Sequence, residues 1–200
     1  MRRRRYLRSM LTLCLALLLL TGCSRSPRVI YYTLNVTAAP EAAAPAPFSV
    51  ALGPVSVPAM VDQPQLVVQT GANRVDILEI HLWAAPLTSE IPRIIVADLA
   101  VLLRSAQVSA YPQNAGVDAD YRVQVDIQRF EMTPGEAATV EALWSVRRVG
   151  GDAPRKTGRT VVSEPAGVAG YEALVAAQSR ALVAVSRDLA QALRAEAAPP

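Results

Sequence analysis

DYRVQVDIQRFEM, residues 120–132, sets the fold class. Tyr121, Val123, Val125 and Ile127 recur at every second position, with polar residues between them. A period of two is that of a strand with one buried face. Beyond Ile127 the apolar parity switches to Phe130 and Met132. The next segment, Thr139–Val149, alternates again, with Val140, Ala142, Trp144 and Val146 inward. Gly150-Gly151-Asp152-Ala153-Pro154 is a turn by composition, and Lys156–Ser163 is the hairpin partner it implies.

Working upstream, Val108–Tyr111 is a short strand, and Leu66–Thr70 and Val75–Ile80 flank the hairpin signal Gly71-Ala72-Asn73-Arg74. Phe48, Val50 and Leu52 alternate, and Val55 and Val57 resume on the opposite parity after Gly53-Pro54. Such a change of phase predicts a bulge at the glycine. Val29–Leu34 reads as a first strand from its β-branched and aromatic content.

Two segments carry the helical period instead. Tyr171, Leu174, Val175, Gln178, Leu182, Val185, Leu189 and Leu193 recur at three- and four-residue steps and predict a helix from Tyr171 to about Glu196. Ile91, Ile95, Leu99 and Leu102 mark the buried stripe of another, capped by Thr88 or Ser89 and running to about Ser105, with Pro92 in its tolerated first turn. The expectation is a single α+β domain over residues 30–196, a mostly antiparallel sheet with both main helices packed on one face. Within it, the Ala/Pro-rich Thr37–Pro47 reads equally as a flexible linker or as a long surface loop. Residues 197–200 are expected to form a disordered tail.

The amino terminus has a different character. Arg2, Arg3, Arg4, Arg5 and Arg8 precede an apolar run from Met10 to Leu20, and Leu20-Thr21-Gly22-Cys23 follows. Basic end, short apolar core and small-residue exit are the layout of a secretory signal, residues 1–22. The run covers only roughly 16 Å of a hydrocarbon core about 30 Å thick, too short for an ordinary spanning helix. Its last four residues resemble the bacterial lipobox, which implies cleavage before Cys23 and attachment of a diacylglycerol and an N-acyl chain to that cysteine. Residues 23–29 are then a lipidated tether. Two or three acyl chains, at about 0.8 kcal/mol per buried CH₂, make attachment effectively permanent. Ser24 follows the cysteine where an Asp would retain a lipoprotein at the inner membrane, so the resemblance implies the periplasmic face of the outer membrane.

Processing at that point removes five of the 20 basic residues, leaving 15 against 17 acidic ones, and the formal charge moves from +3 to −2. The basic balance of the whole sequence is therefore no nucleic-acid signal. Cys14 leaves with the signal, so Cys23 is the sole cysteine of the processed chain and no internal disulfide can form. The inventory for catalysis is poor. His81 is the single histidine, no nucleophile elbow or phosphate loop occurs, and zinc needs more His or Cys ligands than are present. Asp118 and Asp120 carry a calcium-like spacing that stops after two residues. The expectation is a non-enzymatic binding or assembly component with no catalytic residue, no metal and no cofactor beyond the lipid.

Tyr31-Tyr32-Thr33-Leu34, Val57–Val68 and His81-Leu82-Trp83-Ala84-Ala85-Pro86-Leu87 resemble, in order, three motifs of the ABC-type transport auxiliary lipoproteins, typified by the paraquat-inducible lipoprotein C. Ala119-Asp120-Tyr121-Arg122-Val123, Arg129-Phe130-Glu131 and Tyr171–Ser179 continue the resemblance through the last helix. Two positions depart from it: Gln63 replaces an arginine and Ala85 a glutamate, so a charge-dependent contact there would be lost. The resemblance implies an accessory role in envelope lipid transport, alongside an MCE-domain protein and an ABC permease and ATPase. A domain of this size has a radius of gyration near 15 Å and cannot bridge two membranes. The chain must therefore dock near its membrane or assemble into a homo-oligomer. Partner contact is expected at the loop Pro58–Pro64 and the segment His81–Leu87, with Met60, Trp83 and Leu87 as apolar anchors. The competing expectation for Trp83 is a core position against the first helix. The competing function is a periplasmic carrier holding an acyl chain in its own cavity, with a hydrolase using His81 ranked last.

Overall fold

A computed structural model describes residues 27–111, 118–150, 155–167 and 170–198. The signal segment, Cys23, the residues Gly151–Pro154 of the expected turn and the last two residues of the tail lie outside these. The elements in chain order are β1 (Ile30–Tyr32), β2 (Val50–Ser56), β3 (Gln65–Gly71), β4 (Arg74–Trp83), α1 (Leu87–Leu103), β5 (Val108–Ala110), β6 (Tyr121–Thr133), β7 (Ala137–Arg148), β8 (Lys156–Pro165) and α2 (Tyr171–Ala197).

The domain is α+β, as the periodicities require, and its strands form two mixed sheets. One has the order β1-β4-β3, the other β5-β2-β6-β7-β8. The long ladders β6/β7, β7/β8 and β3/β4 are antiparallel, whereas β1/β4, β2/β5 and β2/β6 are parallel. Division into two sheets and the parallel joins depend on which distant strands meet, which local alternation does not encode. Both phase changes in the sequence are irregularities of register. In β2 the shift falls between Leu52 and Val55, and in β6 between Ile127 and Arg129. A Cβ on Gly53 would lie 3.3 Å from the Val123 carbonyl oxygen, so a glycine suits the close approach of β2 to β6.

Helix α1 starts earlier than its polar residues suggest. Its N-cap is Pro86 with no side-chain cap bond, so Thr88 and Ser89 lie inside the helix rather than capping it. The Pro86 carbonyl instead accepts from the N–H groups of Ser89 and Glu90. Pro92 then falls at the sixth residue, beyond the first turn. At the other end Arg104 adopts the left-handed conformation (φ 52°), and Ser105 N–H closes back onto Ala100 O. Ile91, Ile95, Leu99 and Leu102 are all buried, as their spacing predicts.

α1 packs against β2, β5 and α2, and α2 packs against β6, β7 and β8, so both helices cover one face of the five-stranded sheet. Ser186 Oγ reaches Asp98 and Arg194 reaches Leu102 O, pairs that advance together along both helices, which therefore run in the same direction. The Ala/Pro segment is a strap bound across this helix pair. Asn35 N–H donates to Ser179 Oγ, Ala38 N–H to Asp98 and Ala46 N–H to Leu103 O. Arg104 and Arg194 donate to the carbonyls of Ala43 and Ala44. Leu34 and Phe48, at the two ends of this stretch, are buried. Of the two readings of residues 37–47, the structure shows the packed surface loop.

Between helices and sheet, Leu99, Leu102, Val123, Ile127, Val140, Leu182 and Leu189 exclude solvent almost completely. The Gln178 side-chain amide is also fully buried and has no hydrogen-bond partner among the described residues. Leaving such a group unpaired costs about 1–3 kcal/mol.

Candidate functional site

Alternation fixes what each face of the five-stranded sheet presents. The inner face carries Val140, Ala142, Trp144 and Val146 of β7, as the sequence predicts. Trp144 lies over Gly158 of β8, its cross-strand partner, where a Cβ would come within 2.2 Å of the indole. The indole N–H donates to Thr160 Oγ1, which donates to Asp188 on α2, tying the β8 edge to the helix.

No described helix lies over the outer face, and its outward residues on β6, β7 and β8 are solvent-facing. Arg122, Gln124, Asp126, Leu143, Arg147, Thr157, Arg159 and Val161 are exposed. Leu143 and Val161 are large apolar residues, 42% and 52% accessible, where the pattern calls for polar ones. Asp126, Leu143 and Arg159 stand in one cross-strand row, and Arg129, Glu141 and Val161 in the next. Charges in these two rows are locally balanced: Arg159 pairs with Glu141 at 2.8 Å and Arg129 with Glu131 at 2.6 Å. Asp126 accepts from Ser56 Oγ and from Gln128. A cleft of about 690 Å³ runs beside these rows, lined in part by Pro54, Leu143, Trp144 and Arg159. An uncovered sheet face with apolar residues among paired charges is the arrangement of a polar-rimmed contact surface.

The three anchors read from the sequence separate. Met60 is exposed, in a turn where Gln63 Nε2 donates to its carbonyl. Trp83 and Leu87 are 5% and 2% accessible, which corrects the expectation that they are exposed anchors. Trp83 ends β4 with its N–H on Pro64 O and its ring 6.2 Å from Phe130. Leu87 opens α1 and faces the core. Their apolar bulk is used in joining the small sheet and α1 to the rest of the domain. Gln63, at the departure from the arginine motif, serves the Met60 turn. Near the tether, Val29, Ile30 and Tyr31 form a second exposed apolar group, Tyr31 at 65%.

His81 is a structural contact in this environment. Its Nδ1 lies 2.8 Å from Tyr32 Oη, and its ring packs edge-on to Tyr171 with centroids 4.5 Å apart. Burial, and then the nearby Glu172, push the Tyr32 phenol above its ordinary value. No group of three His, Cys, Asp or Glu side chains among the described residues could hold a metal ion. No described helix is long and apolar enough to cross a membrane.

Two buried carboxylates hold the first strand and the strap. Burial alone would raise Glu90, but hydrogen bonds from Arg93 and Thr33 outweigh it and hold the carboxyl below its usual range. Asp98 is fully buried between α1, α2 and the strap. Burial pushes it up to about 6, against the N–H groups of Ala38 and Thr37 and the Ser186 hydroxyl, which favour the charged form. Asp98 was not singled out from the sequence, although a carboxylate one step from Leu99 on an apolar stripe was a visible signal. Leu143 and Val161 were equally visible, as apolar residues on the outward parity of their strands.

Residues 32–190 match the family model for the ABC-type transport auxiliary lipoprotein component. Among curated proteins none matches the chain. A crystal structure of a Xanthomonas campestris protein is similar, with a TM-score of 0.69 and 21% identity, covering 81% of this chain and 93% of that one. A second crystal structure, of a protein described as uncharacterized, has a TM-score of 0.70 and 19% identity over 84% of this chain and 99% of that one. At such identities the two structures share the fold with this chain.

Proposed function

We propose that this chain, which belongs to the family of ABC-type transport auxiliary lipoproteins, is a non-enzymatic accessory component of an envelope lipid-transport system. The observation that carries the reading is the extent of the family match, which runs from β1 through most of α2. Cys23 is the lipid-bearing residue, and it anchors the domain to the periplasmic face of the outer membrane. The tether Cys23–Arg28 reaches at most about 20 Å, so the domain works close to that membrane. Its partners are an MCE-domain protein and the ABC permease and ATPase of the same system. The exposed Met60 turn and the outer sheet face with Leu143 and Val161 are the surfaces offered to them. Among the described residues the space between helices and sheet is occupied by buried side chains such as Leu99, Val123, Ile127 and Leu182, which gives the carrier reading no support.

Fractionation and crosslinking in cells test this. Wild-type protein is expected in outer-membrane fractions and Cys23→Ser in the soluble periplasm. Photo-crosslinking residues at positions 60 and 143 are expected to capture the MCE-domain protein or the permease. Capture of neither, with anchoring intact, would overturn the transport role while leaving the lipoprotein assignment standing.

A further inference from the structure

At the end of the outer face nearest β5 the balance of charge fails. Arg122 of β6 stands directly opposite Arg147 of β7 in the register. Lys156 is opposite Val146, so Arg155, one residue earlier, continues the same row on the far side of Arg147. Like charges placed opposite one another across strands repel and destabilise the pairing. Elsewhere on this face Arg129 and Arg159 are matched by Glu131 and Glu141. No side-chain ion pair or hydrogen bond of the three arginines is present among the described residues. The neighbouring Arg148 falls on the opposite parity, beside Asp120, whose carboxylate is already held low by the Ser49 N–H and hydroxyl.

The row borders a cleft of about 270 Å³, lined by Arg122, Arg147, Arg155 and Tyr111, with Ala51 and Gly53 among its small residues. Among the described residues no carboxylate lines it. Tyr111 is 55% accessible and is fixed in place by its backbone N–H on Leu52 O. Guanidinium groups present planar forks of donors that fit the oxygens of a phosphoryl group, and several forks around one small cleft favour a polyoxygen anion over a single carboxylate. The volume sits just below the usual range for small-molecule pockets, about 300–1,000 Å³, which suits a headgroup rather than a whole lipid.

We propose that the cleft between β2, β6, β7 and Tyr111 binds a phosphoryl group through Arg122, Arg147 and Arg155. The bound anion supplies the negative charge that the arginine row lacks. The group belongs either to a phospholipid headgroup or to a free phosphate or pyrophosphate. The site rests on this geometry alone and stands or falls independently of the transport role.

The test uses the full chain in a non-ionic detergent, with equilibrium binding and thermal unfolding as readouts. The probes are inorganic phosphate, pyrophosphate, and short-chain phosphatidylglycerol against phosphatidylcholine. Arg122→Gln and Arg147→Gln are each expected to weaken binding roughly ten-fold or more. Without ligand, both variants should unfold at the same temperature as the parent or higher, because a like-charge repulsion has been removed. Arg187→Gln, on an exposed site of α2, should bind as the parent does. Arginine-dependent binding of phosphatidylglycerol at least ten-fold tighter than of inorganic phosphate supports the headgroup source. Arginine-dependent binding of the inorganic anions at equal or greater strength supports the free-anion source. Absence of saturable binding of every probe, or binding that Arg147→Gln leaves unchanged, overturns the proposal.

Discussion

The two faces of the five-stranded sheet are built by the same strands, residue by alternate residue, yet they solve different problems. On the inner face Val140, Ala142 and Val146 lie under α2, and α1 covers β2 and β5 beside them, so that nearly every side chain there is sealed from water. On the outer face Arg122, Leu143, Arg147 and Val161 meet solvent, with charge balanced in some rows and unbalanced in one. Stability is therefore sought on one face and recognition on the other. Packing energy is concentrated on the covered face, so the open face is free to carry residues that the fold does not need.

Four measurements test that contrast. The largest expected effect is from Phe130→Ala, which removes a fully buried ring that also contacts Trp83; about 3–5 kcal/mol of stability should be lost in chemical unfolding. A loss below 1 kcal/mol would mean that the small sheet is not held through this contact.

Next comes Asp98, whose carboxyl rises from its ordinary 3.8 to about 6 in the fold. The folded state therefore holds this proton more tightly than the unfolded state. The stability it contributes is complete below about pH 4 and is lost as the pH climbs to about 6. By linkage that loss is roughly 3 kcal/mol at most. Asp98→Asn should remove this slope from an unfolding series across pH 4–6 and keep an oxygen acceptor for Ala38 N–H. Glu90 and Asp120, held low, act with the opposite sign at lower pH. An unchanged slope in the variant would place the proton elsewhere.

Gly158→Ala puts a methyl against the Trp144 indole and should cost about 1–3 kcal/mol, with an altered tryptophan near-UV dichroism. Parent-like stability would show that the ring moves freely and that the β8 edge is not tied through it.

The smallest effect belongs to the open face. Leu143→Thr and Val161→Thr keep strand propensity and should each change stability by no more than about 0.5 kcal/mol. If either costs as much as a core truncation, the outer face is structural and the contrast fails.

How far the sequence could be read follows from the range of the forces involved. Strand and helix positions were legible because periods of two and 3.6 are properties of the chain itself, and both bulges announced themselves as phase changes. The start of α1 was not legible, since Thr88 and Ser89 looked like caps while the Pro86 carbonyl receives the first N–H groups. Trp83 illustrates the same limit at the candidate site. An aromatic residue beside a turn can anchor a partner or fill a core, and only the arrival of Phe130 from a distant strand decides between them. The Ala/Pro strap was ambiguous for a similar reason, because its hydrogen bonds go to helices far along the chain.

By itself the sequence determined the α+β class, the order of elements, the inward residues of β6 and β7 and the family resemblance, all consequences of local spacing and residue type. The tertiary structure alone decided that the strands divide into two sheets, that Asp98 is sealed beneath the strap, and that Arg122 and Arg147 face each other across β6 and β7. Those facts depend on register between segments far apart in the chain, which is set by the packing of the whole domain and not by any one stretch of it.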